Sequence, residues 1–183
     1  MFKPLPSLLL SAAHSVDGGG DSPVFSVGSP DIPDGKMGRI HFAAAEMGGD
    51  GENVSPRIEW RCAPPDAKSF IVTMYDPDVA TGFGWWHWIV ADIPASASSL
   101  PRGAGTDPQA LPDGAVSLNT DMGAPGYLGP MPPVGETHGY VITVTALDVP
   151  KLNLPPTATP AMVAYMALEH TIGKAFTIAS GGR

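Results

Sequence analysis

The chain has 183 residues, a net charge of −8, only 15% charged residues, 22 glycines, 21 prolines and one cysteine. That length allows one domain with a real hydrophobic core. No Lys/Arg cluster exists to offset phosphate charge, which excludes a nucleic-acid groove, and a single cysteine excludes an internal disulfide or a zinc site with two thiolates.

Residues 1–22 read as a flexible N-terminal extension ending in the glycine-rich DGGGD, which leaves 23–183 as a single domain. Its apolar patch, Leu8 to Leu10, is shorter than the roughly 7–15 residues of a signal-peptide core. A cytoplasmic location is therefore expected. No apolar run approaches the ~20 residues of a membrane span. FSV and GRIHFAA are short strand candidates around the turn SPDIPDGKMG, and IEW is another after a glycine-rich loop.

KSFIVTMYD is the first strong strand. Phe70, Val72 and Met74 share one face and Ile71, Thr73 and Tyr75 the other, so a central strand covered on both sides is predicted. In WWHWIVAD, simple alternation sends Trp86, Trp88 and Val90 one way and Trp85, His87, Ile89 and Ala91 the other. Two long Pro/Gly-rich connections follow, of a length that is usually functional in a compact domain. HGYVITVTALDV is the third clear strand, with His138, Tyr140, Ile142, Val144 and Ala146 on one face. The end, TPAMVAYMALEHTIGKAFTIA, reads as a helix with Thr159 as N-cap and Pro160 as its first residue. Tyr165, Leu168, Ile172 and Phe176 would form its apolar stripe. The fold expected is mostly β and antiparallel, with long loops and a C-terminal helix.

Common catalytic signatures are absent: the chain has no G-x-S-x-G, H-E-x-x-H or P-loop sequence. Asn53-Val54-Ser55 matches a glycosylation sequon and is given no role. His14, His41 and His170 read as structural or exposed. His87 and His138 lie in strong strands with polar company. Asp76 and Asp78 share parity around Pro77, so their carboxylates face one way. A carboxylate bonded to an imidazole raises its pKa, fixes its tautomer and leaves the other N–H as a charged donor. Two such rings, the Tyr140 hydroxyl and a Gly-Pro loop would make a small anion site for a phosphate or carboxylate. On these residues alone two alternatives stand: the aspartates are turn formers beside a core histidine, or the two histidines and two aspartates hold zinc or iron. A binding protein without cofactor or resident metal is the expectation.

Three motifs in register carry a family resemblance. NVSPRIEW resembles an N-I-S-P-x-x-x-W element; Asp76-Pro77-Asp78 followed by Trp86-His87-Trp88 resembles D-P-D-A-P … W-H-W; Gly129-Pro130-Met131-Pro132-Pro133 followed by His138-Gly139-Tyr140 resembles G-x-x-P-P … H-R-Y. Over about residues 25 to 180 the chain is similar to the phosphatidylethanolamine-binding protein family, in its bacterial Raf-kinase-inhibitor-like branch. The resemblance implies a central antiparallel sheet, a smaller second sheet and peripheral helices. It implies a pocket lined by Asp76, Asp78, His87, His138 and Tyr140, rimmed by Pro130, Met131 and Pro132. Expected ligands are phosphate and phosphoethanolamine-like groups, with peripheral contact to lipid headgroups. A protein partner such as a kinase or protease, inhibited through surface loops, is the alternative role, and hydrolysis a further one. A homodimer is also implied. Ala80 replaces the motif's final proline and Gly139 its arginine.

Overall fold

The computed structural model describes residues 23–155 and 157–183; the reading of 1–22 as an extension falls outside them. Among these residues two antiparallel sheets form. The smaller contains β1 (Ser26–Gly28), β2 (Ile58–Arg61) and β5 (Ser99–Leu100) in the order β1-β2-β5. The larger contains β3 (Ser69–Asp76), β4 (Trp85–Pro94), β6 (Val116–Ser117), β7 (Thr137–Leu147) and β8 (Thr171–Gly182) in the order β6-β4-β3-β7-β8. One helix, α1 (Pro160–Ala167), covers part of the larger sheet.

β3 is central and covered on both faces. Phe70, Val72 and Met74 enter the core between the sheets, together with Ile58, Trp60 and Leu100 from the smaller one. Ile71 enters a second cluster on the far face with Ile89, Ala91, Leu147 and the helix residues Val163 and Ala167. β7 keeps the expected alternation, with Tyr140, Ile142, Val144 and Ala146 all in the inter-sheet core.

β4 departs from simple alternation. Its pairing with β3 steps from Met74–Trp88 to Tyr75–Trp86, so His87 has no residue opposite it. An extra residue of this kind is a β-bulge, which bends the strand and re-aims side chains. The consequence divides the tryptophans. Trp88 joins the inter-sheet core, whereas Trp86 packs against the far cluster, so the two do not share a face as alternation predicts.

Two readings need correction. GRIHFAA is not a strand: Arg39–His41 form a single tight turn, and the buried Phe42 and Ala43 follow it in extended chain. The C-terminal helix is eight residues long and stops at Ala167; Thr171–Gly182 is a strand paired along β7 from Thr137–Gly182 to Leu147–Thr171. The helix start is as expected, since the Thr159 hydroxyl accepts the Met162 amide at 3.3 Å and Pro160 is the first helical residue. Beyond Ala167, a long open edge of β7 competes with helix continuation. Small residues suit that edge: Gly181 lies so close to the Phe42 and Tyr140 rings that an added Cβ would come within 2.8 Å of Phe42 and 3.2 Å of Tyr140. The supposed stripe is exposed at Tyr165, Leu168, Ile172 and Phe176.

The loop before β7 is seated by close backbone approach. The Ala43 amide donates to the Pro130 carbonyl at 3.0 Å, and the Gly129 amide donates to the Asn53 side chain at 2.7 Å. A Cβ on Gly129 would stand 2.5 Å from the Ala43 nitrogen, which explains why glycine opens this loop. Overpacking of this kind costs about 1–3 kcal/mol. Gly129→Ala is therefore expected to lower the unfolding free energy measured by urea denaturation by that amount, whereas Gly123→Ser, at a site where an added Cβ meets nothing within 4 Å, changes it by a smaller amount set by its left-handed backbone.

Candidate functional site

Three neighbouring strands bring the titratable groups together. Asp76 ends β3, His87 sits at the bulge of β4, and His138 begins β7. All three are buried, at 2%, 5% and 6% exposure. They stand at the wall of a cavity of about 730 Å³. Asp78, Trp85, Met131 and Pro132 also line it.

Asp76 is the hub. One carboxylate oxygen accepts from His138 Nδ1 at 2.7 Å, and the other accepts the Asp78 amide at 2.8 Å. His87 Nε2 lies 3.9 Å from the oxygen that holds His138, an ion-pair distance once that ring is charged. Burial works to raise the Asp76 pKa, but the two imidazoles and the Asp78 amide outweigh it and hold the carboxyl below its ordinary value. For His138, burial works to lower the pKa; the Asp76 carboxylate, with Glu136 and Asp78 adding to it, overcomes that and raises it.

Each ring has one nitrogen committed. His87 Nδ1 stands 2.7 Å from the Leu128 carbonyl, which can only accept, so the proton of the neutral ring is on Nδ1. Its Nε2 is buried and has no hydrogen-bond partner. His138 Nδ1 faces Asp76, and its Nε2 lies 3.4 Å from Glu136 Oε2 at the cavity mouth. The Nε2 atoms of the two rings are the nitrogens that face a guest; each donates when its ring is protonated and accepts when the ring is neutral with its proton on Nδ1.

The other residues named from the sequence fall in different places. The Asp78 carboxylate accepts the Gly139 amide at 2.7 Å, tying the turn after β3 to β7; it acts on His138 through its charge and not through a hydrogen bond. Tyr140 is fully buried behind the cavity wall, its ring edge-on to His87 with centroids 5.5 Å apart and stacked near His138 at 6.5 Å. Its hydroxyl has no hydrogen-bond partner, and burial followed by the Asp76 and Asp78 charges raises its pKa far above the ordinary value. Tyr140 is thus a buried support for both rings and not a lining donor. Gly181 of β8 lies against the ring, and Phe42 from the segment after the Arg39–His41 turn packs at the same place. Met131 and Pro132 line the cavity, but Pro130 does not; its carbonyl is held by Ala43 and turns it into the protein.

Several contributors were not singled out from the sequence. Glu136 shares His138's parity, two residues before it, which was the available signal. Asn53 bridges the Tyr127 carbonyl and the Gly129 amide, at 3.1 and 2.7 Å, from a left-handed backbone with φ of 57°. Nothing local reveals such a bridge across more than 70 residues. Met47 and Met122 add thioethers to the cavity wall. Among the described residues, no group of three or more His, Cys, Asp or Glu side chains is arranged to hold a metal ion. Asp76 and His138 are spent on each other, and their lone pairs do not converge on a common point.

Comparison with known proteins agrees with this fold. The family profile "Phosphatidylethanolamine-binding protein" matches residues 16–180. The UPF0098 protein YbhB of Escherichia coli is 44% identical over 147 residues, covering 80% of this chain and 93% of that protein. The UPF0098 protein YbcL of the same organism is 40% identical over 153 residues, 82% of this chain and 84% of that one. The crystal structure of E. coli YbcL, described as a new member of the mammalian PEBP family, superposes with a TM-score of 0.82 at 38% identity, over 87% of this chain and 98% of that one. A putative phosphatidylethanolamine-binding protein homolog from Chlamydia trachomatis superposes at 0.74 with 25% identity, over 87% of this chain and 97% of that one. With its motifs, its two-sheet fold and a family match over most of its length, the chain belongs to the phosphatidylethanolamine-binding protein family.

Proposed function

We propose that this protein binds a small anionic group, phosphoryl or carboxylate, in the cavity at His87 and His138, and that it does so without catalysing a reaction. The observation that carries the reading is the buried His87 Nε2, which has no hydrogen-bond partner, lies 3.9 Å from Asp76 and stands beside a carboxylate-backed His138. A buried polar atom left unpaired costs roughly 1–3 kcal/mol, so a guest that satisfies it recovers part of that cost. A tetrahedral oxyanion fits, because it accepts from both rings when they are protonated.

The charge balance limits the guest. Asp76 offsets one imidazolium, and no lysine or arginine lines the cavity among the described residues. A compact anion of low charge, or one carrying its own ammonium as phosphoethanolamine does, suits this better than a polyphosphate. The binding reading is preferred to hydrolysis on a specific ground. Thr81 supplies the one side-chain hydroxyl lining the cavity among the described residues, and it donates to the Gly84 carbonyl at 2.9 Å rather than to a histidine.

Titration with inorganic phosphate and with phosphoethanolamine, followed by NMR of the histidine rings, tests the reading. His87 and His138 resonances are expected to move and those of His170 to stay. Failure of both to respond removes the site. His138→Ala is expected to weaken binding by roughly 10- to 100-fold, the loss of a hydrogen bond to a charged group at ~1.5–3 kcal/mol.

The pH dependence has a defined sign. The His138 pKa in the folded protein is raised above its ordinary value of 6.5. Its contribution to stability is therefore fully present below 6.5 and is lost as pH rises through the raised value. Asp76 is lowered from 3.8, so its contribution is present above 3.8 and is lost as pH falls through the lowered value. Phosphate affinity is expected to fall as pH rises past the His138 pKa, and His138→Ala to flatten that limb of the stability profile. A His138→Ala profile parallel to that of the natural chain contradicts the assignment.

A further inference from the structure

The anion reading leaves one group at the cavity mouth unexplained. Glu136 contributes a carboxylate to the lining of a cavity proposed to hold an anion. Its side chain is 61% exposed, and Oε2 sits 3.4 Å from His138 Nε2, the nitrogen of that ring not engaged by Asp76. The backbone of Glu136 is fixed at both ends of its peptide. Its amide donates to the Pro133 carbonyl at 3.0 Å, and its carbonyl accepts the Arg183 amide at 3.2 Å. The root of the side chain is held, and the exposed carboxylate reaches His138 through its own side-chain torsions. The contact itself is long for a charge-assisted hydrogen bond, which ordinarily falls near 2.7–2.9 Å.

The geometry points to Glu136 as a displaceable internal carboxylate that occupies the His138 side of the anion site, so that an incoming anion must compete with the chain's own side chain. Glu136 is then a specificity-determining residue. It sets a lower affinity for all anions, and it disfavours most those of highest charge, because it remains near the mouth after displacement. A guest with an ammonium group escapes part of this cost, since the displaced carboxylate can pair with the cation. The groups that face His138 define what else can act here: Asp76 from β3, Asp78 from the turn after it, His87 from β4 through Asp76, and the Tyr140 ring from β7. Each of these has a partner or a position that fixes it. Glu136 is the exposed member.

The inference rests on the anion-binding reading, and its test separates the two. Phosphate is titrated into the natural chain, Glu136→Gln and Glu136→Ala at low ionic strength, with the His138 ring pKa measured by NMR in each before phosphate is added. Glu136→Gln is expected to bind phosphate roughly two- to fivefold more tightly, the range of an exposed ion pair, with the gain shrinking as salt is added. The ligand-free His138 pKa is expected to fall in both variants, because a carboxylate that raises it is gone. The same variants are expected to lose part of the preference for phosphoethanolamine over phosphate. Equal or weaker phosphate binding in both variants, with the natural chain still binding, overturns the role of Glu136 and leaves the anion site standing. A His138 pKa unchanged in both variants overturns it as well. Absence of phosphate binding from all three chains removes the anion reading, and the inference with it.

Discussion

A buried carboxylate governs the arrangement of this protein. Asp76 is 2% exposed at the end of the central strand, where an unpaired charge would cost several kcal/mol. It is tolerated because partners arrive from three directions: His138 from β7, His87 from β4 and the Asp78 amide from its own turn. Each arrival depends on a feature of the fold. The bulge in β4 releases His87 from the strand ladder and aims it at the same oxygen. The Asp78–Gly139 bond ties the turn to β7. The Leu128 carbonyl orients the His87 ring, and Asn53 holds the loop from which that carbonyl projects. The site is therefore a property of the sheet, not of a mobile loop, and its outward nitrogens come preset.

Apolar packing supplies the rigidity behind it. Tyr140 lies beneath both imidazoles and is itself enclosed by Phe42 and Gly181. Its hydroxyl is left without a partner, an energetic cost on the order of 1–3 kcal/mol that the ring's burial offsets. Gly139 stands where the family motif has arginine, and its amide, not a side chain, serves Asp78. The departure leaves the buried pair intact. Met47, Met122 and Met131 give the mouth a deformable apolar lining, suited to the part of a guest that lies beyond its charged group.

Much of this was legible in the chain because it is local. Alternation over Phe70–Tyr75 and over His138–Ala146 identifies two central strands and their faces, since each side chain's direction depends only on its own strand. That Asp76 and Asp78 share a face follows from the same parity, but the bond from His138 to Asp76 depends on β7 lying beside β3. What failed depends on a partner strand. The bulge at His87 exists only relative to β3, so alternation within WWHWIVAD misplaces Trp86. Tyr140 has the right parity for the cavity, but Phe42 and Gly181 close over it from elsewhere in the chain. In the last segment, Ile172 and Phe176 are four apart, a spacing that serves a helix stripe and one face of a strand equally; the open edge of β7 decides for the strand. Asn53 and Glu136 act through contacts that become visible only when loops and strands meet.

The central claim is that the Asp76 carboxylate, more than any other neighbour, raises the His138 pKa. Burial alone pushes that ring's pKa down, and Asp76 is the principal group that pushes it up. The direct measurement is the His138 pKa by NMR in Asp76→Asn compared with the natural chain, with folding checked by the dispersion of the remaining resonances. The account predicts that the value falls once the carboxylate charge is removed and burial is opposed only by Glu136 and Asp78. A His138 pKa that is unchanged in a folded Asp76→Asn protein contradicts it.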